Sequence, residues 1–449
     1  MSEVLSTALA VLVRESRSNG LPSDVSQATK LFLLNALGTC IAGSPRPVAE
    51  RLVAAAVRLG ETSTYRVPGR HESLSLGWSA TVTGAAGHVD DFDDTHPVTY
   101  IHAGPTLVAT CLALSQHVDV SGPCLLDAIA LGYEVQFRAA LAISPEQYVA
   151  GWHSTGVFGV LGAATAASIL LDLDDEATAA AIDLAAQLIL GHQEGLGTMN
   201  KSFHAGKAAA NGLRIALAIH AGLRPAGGRN LESLLSAMAI GYQPRFAMVL
   251  DGHEWRLLDN RTKPFPCGVV AHPGVEAALS AAEEVRETLD SVRRIVVRCL
   301  PIATTLTGIA EPTTELNTRL SLPHAVAAAL VTGRAGLPQF TRASISDPQI
   351  ARLRGCVELV GEPTRSEFSA AITIERDGLP SVVRELAAVT GSPDHPMSYD
   401  AVADKFTHLV EPVLPHRSEP LRVAVGSLPE TDSVRELQLL TLPVSEVTR

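Results

Sequence analysis

From the N-terminus to about residue 250, apolar residues recur at helical spacing almost without a break, a pattern that points to a large helical globule. Leu31, Leu34, Leu37 and Ile41 form one such stripe, after a Ser23/Asp24 cap and ending near Gly43. Similar stripes cover 105–117, 124–142, 155–171, 175–191, 206–222 and 230–240. Alanine dominates them, which favours helix and lets neighbouring helices approach closely. The sequence shows neither sustained heptads nor a fixed-period repeat, which argues against a coiled coil or a solenoid.

The texture changes after Trp255. The segment RTKPFPCGVVAHPG brackets Phe265 with two prolines, which breaks a helix and marks a crossing between domains. Val269 to about Leu289 is again helical in pattern, and RRIVVRCLP alternates with β-branched residues as a strand does. CVELVGEP and SAAITIERDG predict two more strands, the last ending in an Asp-Gly turn, with a helix in SLPHAVAAALVTG. SYDAVADKFTHLVEPVL returns to helix, and 431–441 follows suit. At 449 residues the chain is too long for one simple core. The expected fold is therefore mainly α with an α+β insert. A large all-helical domain is built from both chain ends, 1–258 and 397–449, and a smaller α+β lid domain occupies 259–396.

Composition removes several function classes. A net charge of -12 and the lack of any Lys/Arg-rich run leave no footprint for nucleic acid. The first residues have no basic n-region and read as an amphipathic helix rather than a signal peptide. The longest uncharged run, Ser154 to Leu171, approaches membrane-spanning length, but its Gly, Ala, Ser and Thr suit a tightly packed core helix. The expectation is a cytoplasmic protein with no membrane partner. Hydrophobic residues make up 46% and charged residues 18%, which suits an oligomer with apolar surface to hide. Six scattered cysteines without a CxxC pair speak against a zinc ribbon or an iron–sulfur cluster. The absence of GxGxxG, P-loop and GxSxG patterns argues against nucleotide cofactors and serine hydrolysis.

Chemistry is concentrated between His88 and His102, where HVDDFDDTHPVTYIH holds four aspartates and three histidines without a lysine or arginine. Such a cluster needs cations, hydrogen bonds, a metal or a shared proton to offset its repulsion. On a helix Asp91, Asp94 and Thr95 would share a face, with His96 and His102 within reach of a turn. The group could supply a base or an acid next to a carboxylate; a capping and turn network is the structural alternative. Its spacing fits neither a Ca²⁺ loop nor HExxH, and DDFDD lacks the second Mg²⁺ motif of isoprenoid synthases. GWHSTGVFG sets His153 at a Gly-bounded helix start, which favours an anion. MNKSFHAGKAAANG puts Lys201 and His204 on one helical face, with Lys207 following, as a cationic edge for carboxylates. KPFPCGVVAHPG adds Lys263 and His272.

Taken in order, DFDDTH with His102 beyond it, GWHSTGVFG, KSFHAGKAAANG, KPFPCGVVAHP and LSLPHAVAAALVTG resemble the MmgE/PrpD family over nearly the whole chain. That family includes 2-methylcitrate dehydratase, cis-aconitate decarboxylase and iminodisuccinate epimerase. The resemblance implies a homodimer through the helical domain, no metal or organic cofactor, and an active site between domains. It carries the family's catalytic Asp, Thr and two His onto Asp91, Thr95, His102 and His153, and its lysines onto Lys201 and Lys263, with His204 beside Lys201. The remaining aspartates, Asp90, Asp93 and Asp94, are expected to be structural.

The chain departs from the family pattern in three places. His102 is followed by Ala-Gly-Pro rather than Pro-Gly or Pro-Ser, CLPIATTL carries no tyrosine, and the tyrosine of SLPY is His324. These departures count against the decarboxylase. The expected activity is a cofactor-independent lyase on a small di- or tricarboxylate, of the 2-methylcitrate dehydratase type. Lys201 and Lys263 would hold carboxylates, Asp91 or a histidine would take the α-proton, and His102 or His153 would protonate the departing hydroxyl. Epimerisation or decarboxylation of a related acid are the alternatives, and a non-catalytic helical scaffold is a third.

Overall fold

The apolar stripe around Leu34 lies in the helix Ser23–Gly43, which is buried on every side from Phe32 to Gly43. Its cap falls one residue upstream of the expected position. Pro22 is the capping residue, Ser23 is already helical, and Asp24 bonds the Val25 N–H within the first turn, where a negative charge suits the helix dipole. The computed structural model describes residues 4–189, 191–225, 228–250 and 254–444. The first three residues of the expected N-terminal helix lie outside them; the helix itself is Leu5–Asn19.

The chain divides into two compact units. The first comprises Met1–Val89, Asp93–Asn260 and Ser398–Arg449. At its centre is Ser154–Leu170, the long uncharged run, with every residue buried. It packs on Gly122–Leu141 and on Met199–His220. Small residues make that proximity possible: a methyl group at Gly162 would sit 2.7 Å from the Gly132 carbonyl oxygen. Met199–His220 also crosses Leu76–Val89 in backbone contact, where a Cβ at Gly206 would lie 2.0 Å from the Thr81 carbonyl oxygen. The close approach runs from Thr81 to Ala85 on one helix and through Ala205 and Gly206 on the other. From the C-terminal part of the chain, Tyr399–Val410 packs on Ser23–Gly43, and Lys405 bonds the buried Asn35 side chain at 2.7 Å. The unit is not purely helical. Thr62–Arg66 and Ser73–Leu74 form a two-stranded antiparallel sheet that the helical pattern did not predict. Among the described residues no helix is long and apolar enough to cross a membrane.

The second unit comprises Asp90–Phe92 and Arg261–Met397. Its sheet has four strands in the order Val357–Gly361, Val292–Cys299, Ala370–Arg376, Leu379–Leu386. The first pair is parallel, with Val297 opposite Leu359, and the other two pairs are antiparallel. Three of these strands match the expected ones. The fourth follows the Asp377-Gly378 turn, where Gly378 takes a φ of 69°. It is a largely exposed edge strand carrying Pro380, so it has no apolar alternation to betray it. His272–Val285 packs on the sheet and on Leu322–Thr332, and these helices carry most of this unit's apolar core.

Candidate active site

The helix Leu76–Val89 stops just before the aspartates, and residues 90–103 contain no helix. The expectation that Asp91, Asp94 and Thr95 share a helical face is therefore corrected. Stacked carboxylates would repel along a helix, and each aspartate instead takes its own partner. Asp91 adopts a left-handed backbone with φ 51°.

In the first unit Asp93 is the anchor. It is fully buried, with Oδ2 2.6 Å from His88 Nδ1 and Oδ1 3.4 Å from His102 Nδ1. Burial pushes its carboxyl up, but the charges and hydrogen bonds of His88 and His102 outweigh that and hold it well below the usual carboxylate range. Asp93 therefore stays anionic between the two rings. On the other side of His88 the rings of His88 and His153 lie nearly parallel and meet nitrogen to nitrogen, with centroids 5.5 Å apart and their Nε2 atoms 3.4 Å apart. His153 occupies the N-cap position of the helix Ser154–Leu170 without a side-chain capping bond, and its Nδ1 lies 3.0 Å from Nδ1 of His204. Burial lowers the His153 pKa far below the ordinary histidine value, helped by the positive charge of His88, Lys201, His204 and His102. His204 is lowered by burial, then by His88 and Lys207.

His204 and Lys201 are both half-buried in the first turns of Met199–His220, one helical turn apart. His102 is fixed through its backbone N–H, which donates to Thr155 Oγ1 at 2.9 Å. Thr95 is buried, and its hydroxyl has no hydrogen-bond partner among the described residues. Asp94 accepts from Tyr133 Oη at 3.0 Å, Asn260 Nδ2 at 2.8 Å and the Gly104 N–H at 3.2 Å. Burial and the neighbouring Asp93 push its carboxyl up to about 6. The His96 ring rests on Phe137 and bonds Thr99.

In the second unit Asp91 and Lys263 form a buried pair. The ammonium donates to Asp91 Oδ1 at 2.8 Å, to the Asp91 carbonyl at 3.2 Å and to the Cys267 carbonyl at 3.4 Å. Asp90 pairs with Arg319 at 2.8 Å. His324 turns into its own unit, with Nε2 2.9 Å from the Gln339 carbonyl and 3.1 Å from Ser344 Oγ.

Of the residues singled out in the sequence, His102, His153 and His204 thus enter one histidine–aspartate cluster, with Thr95 and Lys201 on the same unit. Asp91 and Lys263 enter a separate ion pair. The sequence marks His88 only as the edge of the acidic stretch and leaves Asp93 structural; both stand at the centre of the cluster. The spacing of five residues across a helix end was the one signal available, and it is weak.

Among the described residues His88, Asp93 and His102 are the group whose donor atoms converge enough for a cation, all within 4.8 Å of one another. Their spacing fits shared protons better. Donors about 2.1 Å from one tetrahedral zinc would stand about 3.4 Å apart, whereas His88 Nδ1 and Asp93 Oδ2 are 2.6 Å apart.

The MmgE/PrpD N-terminal domain matches residues 7–228, and the MmgE/PrpD C-terminal domain matches residues 265–428. Cis-aconitate decarboxylase of Mus musculus is 29% identical over 384 residues, covering 81% of this chain and 77% of the relative. The Homo sapiens cis-aconitate decarboxylase is 28% identical over 379 residues, covering 81% of this chain and 78% of the relative. A cis-aconitate decarboxylase-like protein of Aspergillus oryzae is 26% identical over 466 residues, covering 95% of each chain. With both halves of the family matched in order, the chain belongs to the MmgE/PrpD family and is an enzyme of that family's lyase type.

Proposed function

We propose that this enzyme is a cofactor-independent carboxy-lyase acting on a small unsaturated tricarboxylate of the cis-aconitate kind. The observation that carries this reading is the Asp93 carboxylate bracketed by His88 and His102, a buried anion that keeps imidazole protons available for donation. The nominated base has the opposite character. Asp91 is bonded to the Lys263 ammonium, which stabilises the carboxylate and weakens its pull on a carbon-bound proton. Decarboxylation needs an acid and no carbon base. The C–C bond to one carboxylate breaks as CO₂ leaves, and its electron pair forms a new double bond. The old double bond opens, and its far carbon takes a proton from an imidazole. Each turnover consumes one proton. Lys201 and Lys207 add positive charge to the same helix as His204, which suits a substrate with several carboxylates.

The names of the relatives support the same reading, and the position of His324 removes one objection to it. That side chain is tied to Gln339 and Ser344, so replacing a tyrosine there changes internal packing. A second reading, a hydro-lyase of the 2-methylcitrate type, is favoured by the segment Pro301–Leu306, which offers no phenol. The two readings separate on one experiment. Purified protein is incubated with cis-aconitate and, separately, 2-methylcitrate, and followed by proton NMR. A vinyl methylene doublet with CO₂ release from cis-aconitate supports the proposal. Water loss from 2-methylcitrate without CO₂ from cis-aconitate overturns it.

A further inference from the structure

Both ring nitrogens of His153 face other imidazoles: Nε2 faces His88 and Nδ1 faces His204. In this arrangement His153 has no nitrogen left to offer a substrate. The contacts form one series, from Asp93 Oδ2 to His88 Nδ1 at 2.6 Å, His88 Nε2 to His153 Nε2 at 3.4 Å, and His153 Nδ1 to His204 Nδ1 at 3.0 Å. Exposure changes along it: Asp93, His88 and His153 are buried, and His204 is half-buried on a helix surface.

We propose that Asp93, His88, His153 and His204 are a proton relay in which Asp93 holds a proton on His88 and His204 hands it to the reacting carbon. This deepens the carboxy-lyase reading and rests on it, because only a reaction that consumes a proton needs a charged store behind its donor. The bookkeeping of protons closes. His204 gives its Nε2 proton to the carbon and takes one at Nδ1 from His153. His153 takes one at Nε2 from His88, which ends neutral with its Nδ1 proton still on Asp93. A solvent proton arriving at His204 Nε2 then drives the same shifts inward and restores the start. The charged groups facing this chain are His102 on the far oxygen of Asp93, and Lys201 and Lys207 on the helix of His204. They disfavour a second positive charge on His153, so it passes protons rather than keeping one. His153 and His88 are thus positioning residues, and His204 is the catalytic one.

The test uses the full-length protein and the His204→Gln variant, a change on a half-buried surface that leaves the core untouched. Carbon dioxide release from cis-aconitate should fall roughly 100-fold near neutral pH, and free imidazole in the buffer should restore part of it. His153→Gln should show a comparable loss that imidazole does not restore, since that site is buried. Unchanged turnover and pH profile in His204→Gln would overturn the relay. A substrate-independent arm reads ¹⁵N-labelled histidine by NMR. In wild type the ring nitrogens of His153 and His204 should titrate together, and in His204→Gln the His153 tautomer should switch. Independent titration contradicts the relay. If the coupled titration is seen but no carboxylate is turned over, the relay stands and the carboxy-lyase reading fails.

Discussion

Asp93→Asn removes one negative charge while keeping the shape of the side chain. The carboxylate lies 2.6 Å from His88 Nδ1 and 3.4 Å from His102 Nδ1. Ring and carboxylate charge centres are then about 4–5 Å apart, worth about 3–4 kcal/mol per protonated ring at an effective dielectric near 20. Where that attraction holds the proton store on His88, its loss lowers the rate at neutral pH by roughly 10²–10³. The decline should be smaller at acid pH, where bulk protons refill the imidazoles. Carbon dioxide release from cis-aconitate, measured as a pH profile on variant and wild type, checks this. The stability effect has a defined sign. Asp93 is depressed in the native state, so its contribution is present above the ordinary carboxylate pKa and is lost as pH falls through the native one. A melting series should show the two proteins converging at low pH. A correctly folded Asp93→Asn protein with near wild-type turnover and an unshifted profile would refute the reasoning.

Asp94 behaves oppositely. Its carboxyl is raised from 3.8 to about 6, so its ionisation costs stability progressively from about pH 4 to pH 6, about 3 kcal/mol in all. The melting temperature of wild type should fall more steeply across that window than that of Asp94→Asn. Gly206→Ala forces a methyl group against the Thr81 carbonyl oxygen. It should destabilise by about 1–3 kcal/mol or more in denaturant titration and reduce activity by displacing His204 from His153. Lys263→Met removes the ammonium bonded to buried Asp91 and should cost about 3–5 kcal/mol, part of it recovered by adding Asp91→Asn. Prolonged EDTA treatment should leave turnover unchanged, since the short His88–Asp93 contact is read as a shared proton; activity lost to EDTA and restored by zinc would contradict that.

The helices were legible from long alanine- and leucine-rich runs: central ones such as Ser154–Leu170 are buried on every side, and outer ones such as Pro47–Arg58 bury one face. The central strand Val292–Cys299 was legible from its β-branched run Ile295–Val297, which is buried throughout. The elements that escaped are those that bury little: Thr62–Arg66 is mostly exposed, as is Leu379–Leu386. Their strand character comes from a partner elsewhere in the chain. The site divides in the same way. His102, His153, His204 and Lys263 could be picked out as residue types, but pairing is a property of the fold. His88 and His153 are 65 residues apart, and Asp91 and Lys263 are 172 apart. The aspartate run invited a helical reading, yet the helix ends at Val89 because four carboxylates are better satisfied one by one. Asp91, favoured in the sequence for chemistry, is the one paired with a lysine, and Asp93 holds the histidines.

The central claim is that this enzyme delivers a proton to a carbanion left by departing CO₂. The most direct measurement is incubation with cis-aconitate in D₂O, reading CO₂ release and product by NMR and mass spectrometry. The account predicts a vinyl methylene product carrying one carbon-bound deuterium for each CO₂ released. Deuterium exchanged into an acid that keeps all its carboxylates, or loss of water with no CO₂, would contradict it.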